Sequence, residues 1–277
     1  MPVPESLGLV VGLFVDGIGA GLILALLGLG ITLVFGLGGI LNLSIGVFSL
    51  MGILVAVRVF GAVPSLVLAV AVAMVVVGLI GLVVDRSLLP LVYRSEGEER
   101  MLIGIFATLG LAIFLEGLLV IEVPVPGLGT TLLGYSDLYA VHEQISPFIV
   151  GPVLVRGSTL AVIALGILVF VLLYLFFDRT YVGQATRTVM DDEVGATLCG
   201  IDTRRMRMFV FVLSAMIAAF AGVMYSLSGE VSVADSFSLT INAVIVSVVG
   251  GVTSITGTVV AGLILGIVTT FAAAYVG

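Results

Sequence analysis

Apolar residues in this chain fall into long runs that short polar stretches separate. A run of about 18 or more apolar residues is typical of a helix that crosses a membrane. The runs lack the apolar–polar alternation, over about ten residues, of membrane-barrel strands. A helix satisfies its own backbone hydrogen bonds within hydrocarbon, so the runs are predicted to be helical. Eight apolar segments are found: 7–35, 43–57, 62–84, 101–121, 154–177, 207–228, 239–252 and 255–275.

Two of these segments, 43–57 and 239–252, are short and lie beside glycine pairs. The pairs are Gly38-Gly39 and Gly250-Gly251. At about 1.5 Å of rise per residue, such short helices do not span a hydrocarbon core of about 30 Å. We therefore predict that both segments are tilted, broken or re-entrant.

Composition supports this membrane assignment and excludes other classes. The chain of 277 residues is 61% hydrophobic and 10% charged, whereas soluble domains are about 45–50% apolar and about 25% charged. A soluble enzyme, a nucleic-acid-binding protein and a disordered tail are excluded. Cys199 and His142 are the only cysteine and histidine, so no internal disulfide and no metal site are expected. The predicted fold is an all-α polytopic transmembrane helical bundle of about eight segments, treated as one domain over 1–277.

The charge balance adds a constraint on partners and on environment. Ten arginines, no lysine and seventeen acids give a formal net charge of −7, which disfavours nucleic acid as a partner. An acidic surface without lysine suits a high-salt cytoplasm, where screening weakens repulsion between acids. A GC-rich coding bias would also replace lysine by arginine, and both explanations stay open.

The arginines predict the orientation of the bundle. Loop 85–100 carries three arginines, loop 178–206 carries four, and loop 122–153 carries none. The positive-inside rule places the first two loops in the cytoplasm and the third outside. Counting back three crossings from loop 85–100 puts the N-terminus outside. No basic residue precedes the first apolar run, so we expect its helix to remain in the mature protein.

Loop 178–206 is predicted to form one or two short helices with an apolar stripe. The stripe consists of Val194, Leu198 and Ile201, which recur at helical spacing. The capping candidates are Asp191, Asp192 and Glu193 at the start, Gly200 at the end, and Asp202 before the next helix. A stripe that faces water can bind a neighbouring protein, lie on lipid or fold onto its own helices. The residues leave these three alternatives open.

Several short motifs occur in one order over most of residues 20–270. Near the N-terminus they are Leu33-Val34-Phe35-Gly36, Leu41-Asn42-Leu43-Ser44-x-Gly46 and Thr108-Leu109-Gly110-Leu111. In the cytoplasmic loop they are Gly183 with Arg187, Asp191-Asp192-Glu193-x-Gly195-Ala196 and Leu198-x-Gly200-Ile201-Asp202. Phe220-Ala221-Gly222-Val223 and Gly250-Gly251-x-x-Ser254-Ile255-x-Gly257 follow. Together these motifs resemble the ABC importer permeases, in particular the branched-chain amino acid permease family.

The resemblance implies a cell-membrane permease subunit that is not an enzyme and has no catalytic residues. It implies a second permease subunit, two cytoplasmic ATPase subunits that bind ATP in place of this chain, and an external substrate-binding protein. This chain would need no cofactor of its own. The loop would dock in a groove of the ATPase, a helix-in-groove contact. The predicted coupling residues are Gly183, Arg187, Asp192, Glu193, Val194, Leu198, Gly200 and Ile201.

The two glycine-broken segments are predicted to line the substrate pathway. Matching broken segments in the two halves of a chain point to a midplane site in secondary transporters, and we extend that rule by analogy. The candidates are Gly38, Gly39, Asn42, Ser44, Gly250, Gly251, Thr253 and Ser254. Close helix packing is the alternative explanation of both breaks. Asp16 and Glu116 lie within apolar runs, where they serve either the pathway or a hydrogen bond between helices.

Other substrates and classes remain as alternatives. A permease for urea, short amides, sugars or nucleosides fits parts of the pattern. Ile45 and Val47 replace the His and Glu that family members often carry near Asn42, which leaves the substrate open. The resemblance also implies one more helix than the chain provides. An ion-coupled secondary transporter would need more buried acids, and an intramembrane enzyme would need a catalytic constellation that is not found.

Overall fold

The computed structural model describes residues 5–95, 97–120, 148–150 and 153–276. Within them the chain forms helices and one antiparallel pair of strands. The helices of the first half are α1 (Glu5–Gly38), α2 (Ile45–Ala62), α3 (Leu66–Ser87), α4 (Leu89–Val92) and α5 (Gly97–Val120). The strands β1 (Phe148–Val150) and β2 (Val153–Val155) come next. The second half contains α6 (Gly157–Arg179), α7 (Tyr181–Asp191), α8 (Glu193–Leu198), α9 (Thr203–Ser228), α10 (Asp235–Gly250) and α11 (Ile255–Val276).

Among the described residues, seven helical stretches are long and apolar enough to cross a membrane. They are α1, α2, α3 continued by α4, α5, α6, α9 and α11. The helix α10 is apolar but has only 16 residues. These lengths confirm the prediction of a polytopic helical bundle with about eight apolar segments.

The prediction that segment 43–57 is too short to span was wrong. The helix α2 has 18 residues because it continues through Arg58 to Ala62. An arginine near the end of a membrane helix can extend its charge toward water, so it does not end the helix. The helix stops before Pro64, since the residue that precedes a proline avoids helical geometry. The helix α3 accordingly begins at Leu66, later than predicted.

The region between α5 and α6 differs in part from the prediction. Residues 121–147 and 151–152 of the predicted loop 122–153 lie outside the described residues. Segment 154–177 begins as strand β2, which pairs Phe148 with Val155, and its helix starts only at Gly157. The β-branched Val153 and Val155 favour a strand at this point over a first helical turn.

The core of the bundle forms where α1, α2 and α9 pack together. Ser214 on α9 donates a hydrogen bond to the Gly30 carbonyl on α1, and Ser49 on α2 donates one to the Ala218 carbonyl, each at 2.7–2.8 Å. The outer helices instead leave large apolar side chains exposed, among them Val67, Phe106 and Ile113. This arrangement suits a bundle that lipid surrounds, because lipid tails are as apolar as a protein core.

The helices α1 and α11 lie antiparallel and in very close contact. Gly17 meets Ile267 and Gly21 meets Leu263 near the N-terminal end, while Gly28 meets Thr258 further along. Small residues allow such close approach between membrane helices. The C-terminal end of α11 therefore lies beside the N-terminal half of α1.

The helices α10 and α11 form a hairpin, which agrees with the prediction that segment 239–252 is broken. Ser236 at the start of α10 donates a hydrogen bond to Glu116, near the end of α5. Near the other end of α10, the Ser247 hydroxyl forms a hydrogen bond with the Thr32 hydroxyl on α1. The Thr258 hydroxyl on α11 bonds the same Thr32 hydroxyl. The chain thus enters from one end of the bundle, turns after Gly250 and returns toward the same end.

Candidate functional site

The loop 178–206 folds as two short helices with the predicted caps. The Asp192 carboxylate accepts hydrogen bonds from the Val194 and Gly195 backbone N–H groups at 3.0 Å and so caps α8. Gly200 adopts φ +84° after the helix ends, a conformation that favours glycine. Asp202 accepts a hydrogen bond from the Arg205 N–H at 3.1 Å and caps α9. Local sequence chemistry therefore fixes the path of this loop.

Asp192→Ala should loosen α8 without disturbing the rest of the bundle. Loss of an N-cap costs about 1 kcal/mol of helix stability, so amide hydrogen exchange at Val194 and Gly195 should become about fivefold faster. Asp191→Ala is the matched control, since Asp191 is an exposed neighbouring acid that does not cap the helix. Equal exchange rates in both variants would contradict the capping role.

The predicted apolar stripe divides into an exposed part and a packed part. Val194 is 71% exposed and Leu198 is 84% exposed, whereas Ile201 is half-buried against the core of the bundle. Two of the three apolar side chains are thus exposed on the surface of the chain, next to a residue, Ile201, that packs against the bundle. Such exposed apolar side chains favour an interaction surface when polar residues surround them.

Arg207 ties this loop to two other elements. Its guanidinium forms an ion pair with Glu193 at the start of α8 and lies 4.7 Å from the centre of the Tyr93 ring, just after α4. Burial raises the pKa of Tyr93 to about 12, against the opposing effect of the Arg207 charge. The sequence did not indicate the contact of Arg207 with Tyr93, because the two residues are distant along the chain.

Two of the predicted loop residues have neighbours within the loop region itself. Gly183 lies against the backbone of Phe176 and Phe177, so α7 can fold back closely onto the end of α6. Arg187 pairs with Asp178 at 3.8 Å, and both side chains are about 40% exposed. An ion pair so exposed contributes little stability, so the Arg187 guanidinium remains accessible to a partner.

The first glycine break returns the chain into the bundle. Gly39 adopts φ +63° and ends α1. Beyond it Asn42 and Ser44 are fully buried, and the Asn42 Oδ1 accepts hydrogen bonds from the Ser44 N–H at 3.1 Å and the Ser44 hydroxyl at 2.5 Å. Among the described residues the Asn42 Nδ2 has no hydrogen-bond partner. An unpaired buried donor is costly, so the first break holds a polar group whose hydrogen-bonding capacity is unused among the described residues.

The second glycine break is a tight turn between α10 and α11. Gly251 adopts φ +93°, and Gly250 contacts the backbone of Thr258 so closely that a side chain would not fit. Ser254 accepts a hydrogen bond from the Gly257 N–H at 3.1 Å and thereby caps α11. Thr253 is exposed at the turn. Close packing and capping thus explain Gly250 and Ser254 structurally.

The described contacts connect the two breaks through α10 and not directly. Thr240 on α10 accepts a hydrogen bond from the Gly46 N–H at 3.1 Å, immediately after the first break. Further along α10, the Ser247 hydroxyl bonds Thr32 at 2.8 Å, and Thr32 also bonds Thr258 at 2.8 Å, after the second break. The sequence analysis missed Thr32 and Thr240, although both are hydroxyl residues within apolar runs.

Thr32→Val should weaken the attachment of the α10–α11 hairpin to α1. Interhelical hydrogen bonds in membranes contribute about 0.6 kcal/mol each on average, so loss of both should lower the free energy of unfolding by about 1 kcal/mol. Denaturation in mixed micelles measures this change. Ser247→Ala should lower the free energy of unfolding less in the Thr32→Val background than in the wild type. If the two losses of stability added fully, Thr32 and Ser247 would not share a hydrogen bond.

Both acids within apolar runs form hydrogen bonds between helices. Asp16 accepts one from the Thr159 hydroxyl at 2.7 Å, which joins α1 to α6. Glu116 accepts one from the Ser236 hydroxyl, which joins α5 to α10. Each acid thus joins two helices, and the second Asp16 oxygen stays uncommitted among the described residues.

A groove lies beside the loop 178–206 at the arginine-rich end. It has a volume of about 770 Å³ and includes Arg86, Arg94, Arg204, Arg205 and Arg207 together with Asp85 and Asp202. The loops 85–100 and 178–206 therefore meet at one end of the bundle.

Fold and site together define a multi-pass membrane protein with exposed apolar side chains on a short helix at its arginine-rich end. The model of the family "Branched-chain amino acid transport system / permease component" matches residues 13–277. The chain belongs to this family.

Individual relatives agree with this assignment. The chain is 28% identical over 273 residues to the high-affinity branched-chain amino acid transport system permease protein LivH of Escherichia coli K12, a match that covers 94% of this chain and 85% of LivH. It is 28% identical to the corresponding permease BraD of Pseudomonas aeruginosa, with the same coverage. A probable LivH of Methanocaldococcus jannaschii is 29% identical over 88% of this chain and 75% of its own length. No solved structure matches the chain significantly.

Proposed function

We propose that this chain is the membrane-spanning permease subunit of an ATP-driven importer for branched-chain amino acids. The observation that carries the proposal is the exposed pair Val194 and Leu198 on a capped cytoplasmic helix, in a chain that belongs to a permease family. Apolar side chains at helical spacing are the anchors of helix-in-groove recognition. The substrate follows from relatives whose names specify branched-chain amino acids.

In this proposal two cytoplasmic ATPase subunits bind ATP, and this chain binds no cofactor. Val194 and Leu198 insert into a groove of one ATPase, and the Arg207–Glu193 pair transmits the movement of that helix to α9. A second permease subunit completes the pathway, and an external binding protein delivers the substrate. The whole chain, 1–277, acts as one transmembrane domain.

The proposed orientation has the arginine-rich end in the cytoplasm and the N-terminus outside. Eight of the ten arginines lie at one end of the bundle, in the last turn of α3, in or beside α5, or in or beside the loop 178–206. Arg58 and Arg156 belong to the opposite end. This asymmetry supports the assignment through the positive-inside rule. Labelling of single cysteines placed near residue 5 and in α8, with Cys199 replaced, tests the orientation from each side of the membrane.

In the proposed pathway the two breaks move with α10. Asn42 offers its unpaired amide donor to a passing carboxylate, and Ser44 orients that amide. Gly38, Gly39, Gly250 and Gly251 allow the backbone to turn at the ends of α1 and α10, and Thr253 and Ser254 offer hydroxyl groups at the second turn. Arg187 belongs to the partner-facing side of the loop, and the buried Gly183 holds α7 against the end of α6 behind it.

Transport by the assembled complex tests the proposed function. The chain is expressed with its partner subunits and binding protein in cells that lack other branched-chain amino acid uptake. We expect ATP-dependent accumulation of leucine, valine and isoleucine, and little accumulation of urea or ribose. Accumulation of ribose alone would overturn the substrate assignment, and uptake in liposomes without any ATPase would overturn the importer assignment.

A further inference from the structure

A second cavity, mostly apolar with a few polar side chains, lies at the end of the bundle opposite the arginine-rich groove. Its volume is about 420 Å³, within the range of about 300–1,000 Å³ that small-molecule sites occupy. The helices α1, α6, α9, α10 and α11 all contribute to its wall. An ionisable side chain within a membrane segment, as Asp16 is here, marks a candidate functional site.

The cavity holds one acidic and one basic side chain that do not neutralise each other. Asp16 on α1 and Arg156 at the start of α6 both line it, and within the described residues neither takes part in an ion pair. The buried Thr159 hydroxyl fixes Asp16 with a hydrogen bond of 2.7 Å. Arg156 is exposed, so its guanidinium is accessible from solvent.

The remaining wall offers an apolar surface that leads deeper into the bundle. Ile23, Leu24 and Val162 line the cavity beyond the charged pair. Leu24 lies eight residues after Asp16 on α1, a distance of about 12 Å along the helix. Asn242 on α10 also lines the wall, so the cavity extends from the charged pair to the helix that connects the two glycine breaks.

We propose that this cavity binds a free amino acid with an aliphatic side chain, with Asp16 receiving its ammonium group and Arg156 its carboxylate. Charged groups of opposite sign recognise a zwitterion through charge-assisted hydrogen bonds, and the apolar wall accepts the aliphatic side chain. The cavity is thus an outer substrate site on the permease itself. This inference rests on the proposed function and adds a site that lies outside the two glycine breaks.

Ligand-induced heat stability of the purified full chain tests this site. A ligand that binds the folded state raises the unfolding temperature by an amount that grows with the logarithm of one plus the ratio of its concentration to its Kd, so titration gives an apparent affinity. The three probes are L-leucine, L-leucinamide, which lacks the carboxylate, and 4-methylpentanoate, which lacks the ammonium group. In the wild type we expect leucine to bind at least about tenfold more tightly than either analogue.

The variants should remove this discrimination one charge at a time. Asp16→Asn should bind leucine and 4-methylpentanoate equally, and Arg156→Gln should bind leucine and leucinamide equally. Arg58→Gln is the matched control, since Arg58 belongs to the same end and does not line the cavity. It should keep the wild-type order. Because Arg156 is exposed, its variant reports on the site independently of any folding defect in Asp16→Asn.

Three results would overturn the inference. The first is no leucine-dependent stabilisation of the wild type, and the second is an equal loss of affinity for all three probes in both variants. The third is equal stabilisation by glycerophosphoethanolamine, which would assign the two charges to a lipid headgroup. Failure of the proposed function has a separate signature, because the wild-type assembled transporter would then show no ATP-dependent leucine uptake.

Discussion

Leu198→Asp should abolish substrate uptake and the partner-stimulated ATPase activity, while the chain still inserts into the membrane. The side chain is 84% exposed, so a carboxylate at this position disturbs no internal packing. In the complex the same carboxylate would be buried without a partner in an apolar groove. Such burial costs several kcal/mol, which would reduce the affinity of the ATPase by more than about a hundredfold.

The matched control for this variant is Cys199→Asp. Cys199 is also exposed and adjacent, but its side chain lies about 100° further around the helix and away from the line of Val194 and Leu198. It adds the same charge to the loop and should retain most of the uptake. Copurification of the ATPase with each variant measures docking directly. Normal uptake by Leu198→Asp would remove the docking role of α8.

Gly46→Ala should unfold or loosen the contact between α2 and α10. A Cβ atom at Gly46 would collide with the Ser236 carbonyl and the Thr240 hydroxyl, and the first of these belongs to a helix backbone that cannot move alone. Overpacking of this kind costs about 1–3 kcal/mol or more. The variant should therefore show a lower unfolding temperature and much reduced uptake, because it displaces the helix that connects the two breaks.

The helix α2 also provides the control for this prediction. Gly61 lies near the end of the same helix, and nothing lies within 4 Å of a Cβ atom built there. Gly61→Ala should be neutral or slightly stabilising, since alanine is the better helix former by about 1 kcal/mol. Heat denaturation of both purified variants gives the comparison. Equal stability of the two variants would show that α2 and α10 do not approach as closely as described.

The local features of the cytoplasmic loop could be predicted because their causes lie within a few residues. Asp192 caps the helix that begins at the next residue, and Gly200 takes its left-handed conformation at the end of that helix. The depth of Ile201 could not be predicted in the same way. Its burial depends on helices that are distant in sequence. The pattern of apolar residues therefore did not distinguish the packed Ile201 from the exposed Val194 and Leu198.

The glycine breaks illustrate a second limit. Their positions were evident from Gly39 and Gly251, both of which adopt positive φ. The connection between the two broken segments was not evident from the sequence. It depends on hydrogen bonds from Thr32 to Ser247 and Thr258, which are more than 200 residues away along the chain. Segment 43–57 was predicted too short because its apolar run stops before Arg58. The helix α2 instead continues through Arg58 to Ala62.

The sequence by itself determined the helical membrane class, the number of apolar segments, the capped loop and the side that carries the arginines. Each depends on composition or on neighbours within one or two helical turns. Only the tertiary structure decided which helix faces are buried, how α10 joins the breaks, and that Asp16 and Arg156 share a cavity. The reason is that lipid and protein core are equally apolar, so hydropathy along the chain does not distinguish a face that meets lipid from one that meets another helix.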